Sequence, residues 1–534
     1  MLAPMSSDLS PRPDPAPEAS GARSASVVFA GILISRLLGL VRQMLFARYF
    51  ATSAEADAFT AASKIPNLLR NLLGEGTLSA SFVPVYSRLL ERRDEAGARA
   101  LAAAVLGLLL TGVSALTLVG IATAPILTTV FAPGFDPARA ELTTRLTRVL
   151  FPMTALMVLS GWCLGVQNSH RRFFWSYASA ALWSIAQIVL LLWWGDAAAS
   201  LSQLAWWLAW ATLAGSLLQV AAQLPEVIRL IGVVRPTLDR RAEGVRDTLR
   251  NVLPVLASLG VVQISSLIDL QIASYLPRGT ASNLYYANLI ALLPVSLFGV
   301  SVAAASLPEF SRDSGAARES VLLERLRGGW QRILFYIVPC AVVFVCYGDL
   351  CVGLLLRTGR FGAAEQRAVY LVLAAYAVGL ISFASVKLLA SAHYALQDYR
   401  TPLRASMSSL VVSAAAAIAL AFSLRRTPWA AAAVALGSAL GSFVNLGVLI
   451  RGLHARLGGL YTPAMWRGTR RIIIAAGIAA LLAWPARWGL RAAHPMLGGP
   501  PTLALFGIAY LVTAWALGSR EAARLLRRAP RGVA

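Results

Sequence analysis

Apolar residues in this chain come in long runs, with neither the 3.6-residue stripe of a half-buried helix nor the alternation of a strand. Fourteen such runs follow one another from Ala25 to Gly518, and each spans 17 to 34 residues. A helix needs about 20 apolar residues to cross a bilayer. The pattern therefore predicts an all-α polytopic membrane protein with about fourteen transmembrane helices. The second run (Asp57–Leu90) and the tenth (Ala368–Leu396) are long enough to be bent or broken.

Composition agrees with that class. Hydrophobic residues make up 57% of the 534 and charged residues only 14%, against the quarter or so that a soluble surface carries. The net charge of +23 does not indicate nucleic acid, because the cations sit mostly in short loops between apolar runs. Alternate loops and the C-terminal tail hold twenty-nine arginines, and the opposite set holds eleven. The positive-inside rule then places both termini in the cytoplasm. The four cysteines form no C-x-x-C pair and the four histidines are scattered, so neither a metal site nor a cofactor is expected. With no nucleophile elbow and no phosphate-binding glycine loop, the expectation is a secondary transporter or flippase and not an enzyme.

A faint repeat divides the chain. F-A-P-G-F (Phe131–Phe135) follows the third run and R-T-G-R-F (Arg357–Phe361) the ninth; Gln167-Asn168 follows the fourth and Gln397-Asp398 the tenth. Offsets of 226 and 230 residues correspond to six spans, as in transporters built from two halves. The expected organisation is a disordered cytoplasmic tail over 1–24, an N-lobe over 25–228 and a basic linker over 229–251. A C-lobe over 252–450, two extra helices over 451–518 and a basic cytoplasmic tail over 519–534 complete it. The two six-helix lobes would enclose a central cavity.

Six cations fall at membrane depth: Arg36, Arg42, Arg48, Lys64, Arg70 and Lys387. A charge at mid-membrane costs about 2.5–3.5 kcal/mol on insertion scales. Arg48 and Arg70 are near enough to helix ends to snorkel, but Arg36 and Arg42 are expected to face a water-filled cavity. Asp57 and Lys64, seven residues apart, share a helix face. Pro66 is expected to interrupt that helix, and Gly74-Glu75-Gly76 to unwind it around a carboxylate that pairs with a cation or acts as a proton site. Asp269 is the isolated acid of the second half. A basic cavity with broken helices suits a phosphate-bearing ligand, because guanidinium forks match phosphate oxygens.

At these residues the chain resembles the MurJ (MviN) lipid II flippases of the multidrug/oligosaccharidyl-lipid/polysaccharide exporter superfamily. The resemblance rests on S-R-L-L-G-L-V-R (Ser35–Arg42), A-D-A-F (Ala56–Phe59), K-I-P-N-L-L-R (Lys64–Arg70) and G-E-G-T-L-S-A-S-F-V-P-V (Gly74–Val85). Further blocks are A-P-G-F (Ala132–Phe135), L-Y-Y-A-N (Leu284–Asn288), T-G-R-F (Thr358–Phe361) and Y-A-L-Q-D-Y-R-T-P (Tyr394–Pro402). It implies a multi-pass protein of the bacterial inner membrane that moves an undecaprenyl-diphosphate-linked peptidoglycan precursor to the periplasmic leaflet, in contact with membrane lipids and with cell-wall synthesis machinery. It also implies that Arg36, Arg42, Asp57, Arg70 and Glu75 are cavity groups, with Lys64 and Lys387 among the family's lysines. Gln43, Leu289, Ala180 and Ser184 depart from the family's usual residues. Transport of another polyprenyl-diphosphate-linked oligosaccharide is the alternative reading, and a multidrug exporter of the same superfamily is the more distant one.

Overall fold

The computed structural model of this chain describes residues 17–300, 302, 318–460, 462–490 and 494–528. Among the described residues the regular elements are helices only, and eleven are long and apolar enough to cross a membrane. Three more, α1 (Pro17–Phe50), α2 (Ala54–Leu73) and α11 (Val245–Ser274), are 34, 20 and 30 residues long. Arg36, Arg42, Lys64, Arg70 and Asp269 lie on these three. Together these make the fourteen expected spans.

The second span does break, but not at Pro66. That proline lies buried inside α2, and its carbonyl accepts a 3.4 Å hydrogen bond from the Thr154 hydroxyl. The helix stops at Gly74, with ψ −135°, and resumes as α3 (Glu75–Ser81) and α4 (Val83–Glu91). In the third and ninth spans, α5 (Glu95–Ala122) hands over to α6 (Ala124–Phe131) at Thr123. Likewise α13 (Arg318–Cys346), which follows α12 (Thr280–Pro294), hands over to α14 (Gly348–Leu356) at Tyr347. The tenth span, α15 (Ala363–Ala395), is one unbroken helix; apolar length alone does not separate a tilted helix from a broken one. Helix α1 begins at Pro17, so residues 17–24 of the expected tail are helical.

A buried polar network ties α7 (Pro137–Ser169) to α8 (Phe174–Ala178), α9 (Ala180–Trp194) and α10 (Leu201–Ile231). Gln219 Nε2 donates to Ser160 Oγ (2.8 Å), Ser160 Oγ to Gln223 Oε1 (2.9 Å), and Gln223 Nε2 to Ser179 Oγ (2.9 Å). Ser179 stands at the break between α8 and α9, so this network fixes where α9 starts. In lipid, where apolar contact does not distinguish protein from solvent, such bonds do much to set helix packing. The eleventh and twelfth spans are α16 (Arg400–Ser423) and α17 (Ala430–Leu457), and the last two, α18 (Pro463–Gly489) and α19 (Pro495–Ala516), are pinned to the ninth. Arg487 pairs with Asp349 (3.0 Å), and Tyr510 donates to the Phe335 carbonyl (2.6 Å).

The two halves repeat with an offset of 226 residues. Arg171 and Gln397, each in the left-handed region at φ 57° and 58°, end the fourth and tenth spans. The equivalent of Gln397 is therefore Arg171, and the apparent Gln167–Gln397 pairing was four residues out of register. Phe135 and Phe361 do correspond.

These equivalent turns join the halves at the arginine-poor face. Gly134 N–H donates to Ser274 Oγ at the end of α11 (3.0 Å), and Arg360 N–H donates to the Arg48 carbonyl near the end of α1 (2.9 Å). A Cβ on Gly134 would stand 2.5 Å from the Ser274 carbonyl, and one on Gly359 2.6 Å from that of Arg48. Each half thus lays a glycine turn on the first helix of the other. Between the turns, α12 lacks a side-chain cap of its own. Asp57, 1% exposed, supplies it from α2, accepting from Gly279 N–H (2.7 Å), Ser282 N–H (2.8 Å) and Ser282 Oγ (2.9 Å). Arg139 stands 3.5 Å from Asp57 and 2.8 Å from Asp136, which also meets Arg278 at 3.1 Å. The Arg139 N–H, and then the Arg139 and Arg278 guanidiniums, hold the Asp136 carboxyl below the usual carboxylate range despite partial burial. Tyr286 closes the set by donating to the Ala51 carbonyl (2.9 Å). Gly134→Ala and Gly359→Ala should each loosen this seal. Spin labels at Glu141 and Arg425 should report a longer, broader distance distribution in either variant than in wild type, and an unchanged distribution would show that the turns do not hold the halves together.

Candidate functional site: a basic cavity between the two halves

Behind this seal lies a partly open cavity, about 640 Å³ of empty space with its mouth included, walled by α1, α2, α7, α9, α10 and α12. Arg42, Lys64 and Trp183 line it, with Gln43, Asn67, Gln187 and Tyr285. Three helices converge at Trp183. The Arg42 guanidinium from α1 lies 4.3 Å from its ring centroid, and the Arg70 guanidinium from the last turn of α2 lies 5.8 Å away. Both distances fall within the roughly 6 Å over which a cation is attracted to a ring face. Gln43 Nε2 donates to Tyr285 Oη across the two halves (2.6 Å). Gln43, in place of an acid beside Arg42, therefore leaves Arg42 without a carboxylate neighbour on its own helix.

A second space of about 490 Å³ adjoins the first and shares Thr60, Lys64 and Tyr285 with it. Its remaining wall comes from the second half, including Asp269, Asn288 and Tyr376. Ser438 donates weakly to Asp269, at 3.4 Å. Lys64 thus stands between an arginine-bearing wall and an acid-bearing one.

The structure sorts the expected site residues into three groups. Arg42, Lys64 and Asp269 line this connected site, and Arg70 meets it through the Trp183 ring without lining either space. Asp57 does not line it: the carboxylate caps α12 in the seal, so sharing a helix stripe with Lys64 puts the two at different depths. Arg36 is exposed one and a half turns further along α1, and Lys387 is exposed on α15; neither is among the lining residues. Glu75 opens α3 after the Gly74 break, and its side chain lies outside the described residues. Trp183 and Tyr285 were missed. An aromatic in an apolar run carries no cost signal, and only the clustering of cations in α1 and α2 hinted that a ring would be needed between them. From α12 the residue facing the second space is Asn288; Leu289, next to it, is not among the lining residues.

Comparison with known proteins matches this architecture. A family profile described as lipid II flippase MurJ matches residues 46–492. The lipid II flippase MurJ of Burkholderia cenocepacia is 30% identical over 524 residues, covering 94% of this chain and 98% of that protein. A probable lipid II flippase MurJ from Vibrio cholerae is 29% identical over 478 residues, covering 86% and 88%. Among solved structures, a lipid II flippase MurJ in an inward closed conformation superposes with a TM-score of 0.78 at 20% identity, covering 94% of this chain and 99% of that one. An inward-facing multidrug resistance transporter of the MATE family gives 0.63 at 16% identity over 82% of this chain. With a profile match over most of its length and relatives aligned nearly end to end, this multi-pass membrane protein belongs to the lipid II flippase MurJ family.

Proposed function

We propose that this protein is a lipid II flippase, moving undecaprenyl-diphosphate-linked muropeptide from the cytoplasmic to the periplasmic leaflet of the bacterial inner membrane by alternating access. The observation that carries the reading is a cavity lined by Arg42 and Lys64, with the Arg70 guanidinium against its Trp183 wall, lying behind a seal at the arginine-poor face. The arginine-rich face is cytoplasmic in this reading, and both termini lie there. The lobe boundaries near residues 228 and 252 then leave the basic linker 229–251 on the cytoplasmic side.

The geometry supports a simple cycle. A diphosphate entering from the cytoplasmic leaflet meets guanidiniums and an ammonium within a space walled from lipid, where charge-assisted hydrogen bonds are strong. The polar glycan and peptide share that space while the polyprenyl tail stays in the bilayer. Opening the other side requires Asp57 to leave the α12 N-terminus and both glycine turns to part. A ligand that binds better to the opened form drives that step, since only differential affinity shifts such an equilibrium. Released in the outer leaflet, the precursor is positioned for cell-wall synthesis machinery.

Three outcomes test the reading. A charge-assisted bond contributes about 1.5–3 kcal/mol, so Arg42→Ala or Arg70→Ala should weaken lipid binding at least tenfold and fail to complement a flippase-depleted strain at normal abundance. Complementation by both would overturn it. Glu75→Gln should impair transport with membrane abundance unchanged, and full activity would remove Glu75 from the cycle. Reporter fusions at the C-terminus should be active only in the cytoplasm; periplasmic activity would reverse the proposed orientation.

A further inference from the structure

We propose that Trp183 is a positioning and specificity residue for the lipid-linked diphosphate: its ring holds Arg42 and Arg70 as a pair, and its indole N–H donates to a phosphate oxygen. This rests on the flippase reading above and goes beyond it by assigning a role to an uncharged residue. Two guanidiniums drawn to one place repel each other, and burial strengthens the repulsion. A ring within cation–π range of both offsets part of that repulsion.

The polar atoms nearby point the same way. Arg42 Nε and Trp183 Nε1 are buried donors with no hydrogen-bond partner among the described residues. Gln43 Oε1 and Asn67 Oδ1, lining the same cavity, are buried acceptors in the same condition. Buried polar groups are ordinarily paired, so four orphans in one cavity describe a ligand's complement. The two donors suit phosphate oxygens. The two amides suit hydroxyl or amide hydrogens on a sugar joined to the phosphate. The placement of Trp183 is itself built: it follows the α8–α9 break by four residues, and the Gln219–Ser160–Gln223–Ser179 chain fixes that break.

The prediction separates two phosphates from one. A single phosphate can be held by one guanidinium, whereas a diphosphate gains from a preorganised pair. Full-length protein in nanodiscs would be titrated with undecaprenyl diphosphate and with undecaprenyl monophosphate. Wild type should prefer the diphosphate by about tenfold or more. Trp183→Leu should bring that ratio near one while monophosphate binding changes little. Trp183→Phe keeps a ring face and removes the N–H, and should give an intermediate ratio; it carries the test should the leucine variant fail to fold, as judged by gel filtration and melting temperature. Folded Trp183→Leu or Trp183→Phe protein with the wild-type ratio would overturn this role and leave the flippase reading intact. If wild type binds neither lipid, the flippase reading fails, and this proposal with it.

Discussion

An ionised side chain facing acyl chains is among the least tolerable arrangements in a membrane protein, and the inner architecture follows from avoiding it. Arg42, Lys64 and Arg70 oblige α1 and α2 to turn one face toward a polar space. The first half walls most of that space itself, and α11 and α12 of the second half stand opposite, contributing Tyr285 and the Asp269 wall. Cations that would destabilise an isolated helix pair therefore dictate a polar cavity. Lys64 and Arg70, with Asp57, also leave α2 less apolar than its neighbours.

Closing that cavity raises a second problem, because a helix that begins at the edge of the bilayer exposes unpaired N–H groups. The structure solves it between halves. Helix α12 begins at Thr280 without a side-chain cap, and Asp57 of the other half provides one through three hydrogen bonds. Parting the halves would strip the cap from α12 and leave a carboxylate that is 1% exposed with Arg139 alone. Water entering the opened gap compensates both groups, so wetting and opening are one event. A seal of this type is tight when dry and labile when wet, which is what a gate in a wetted pathway requires.

Much of this was legible in the sequence, and the failures have physical causes. Span number and the polar cavity were legible because ionic residues within apolar runs carry an energetic cost that can be read off directly. The depth of Asp57 was not, since helix spacing says which residues share a face but not where along it a neighbour's N-terminus will arrive. Pro66 misled for a related reason: within a bundle a proline is accommodated by its neighbours, here with Thr154 bonding its carbonyl, while the break moved to Gly74. Arg36, six residues before Arg42 on α1, is exposed and outside the lining of the two spaces. Trp183 carried no energetic signal of its own, and only the clustered cations of α1 and α2 hinted at a ring.

The repeat sharpens what each half contributes. With the 226-residue offset, Asp57 corresponds to Asn283 and Gln43 to Asp269. The pseudo-twofold therefore preserves backbone contacts, as the paired glycine turns demonstrate, but exchanges charge for neutrality at the ionisable positions. Asn283 is 8% exposed with Oδ1 unpartnered, so the cap that Asp57 makes has no mirror image. The first half concentrates positive charge at Arg42 and Arg70, and the second presents Asp269 across Lys64. The two walls therefore differ in charge on either side of Lys64. A symmetric pair of basic walls would bind a diphosphate more tightly but would hold it equally in every state. Transport needs the difference between states and not the sum, and a charge-asymmetric cavity that changes shape provides one.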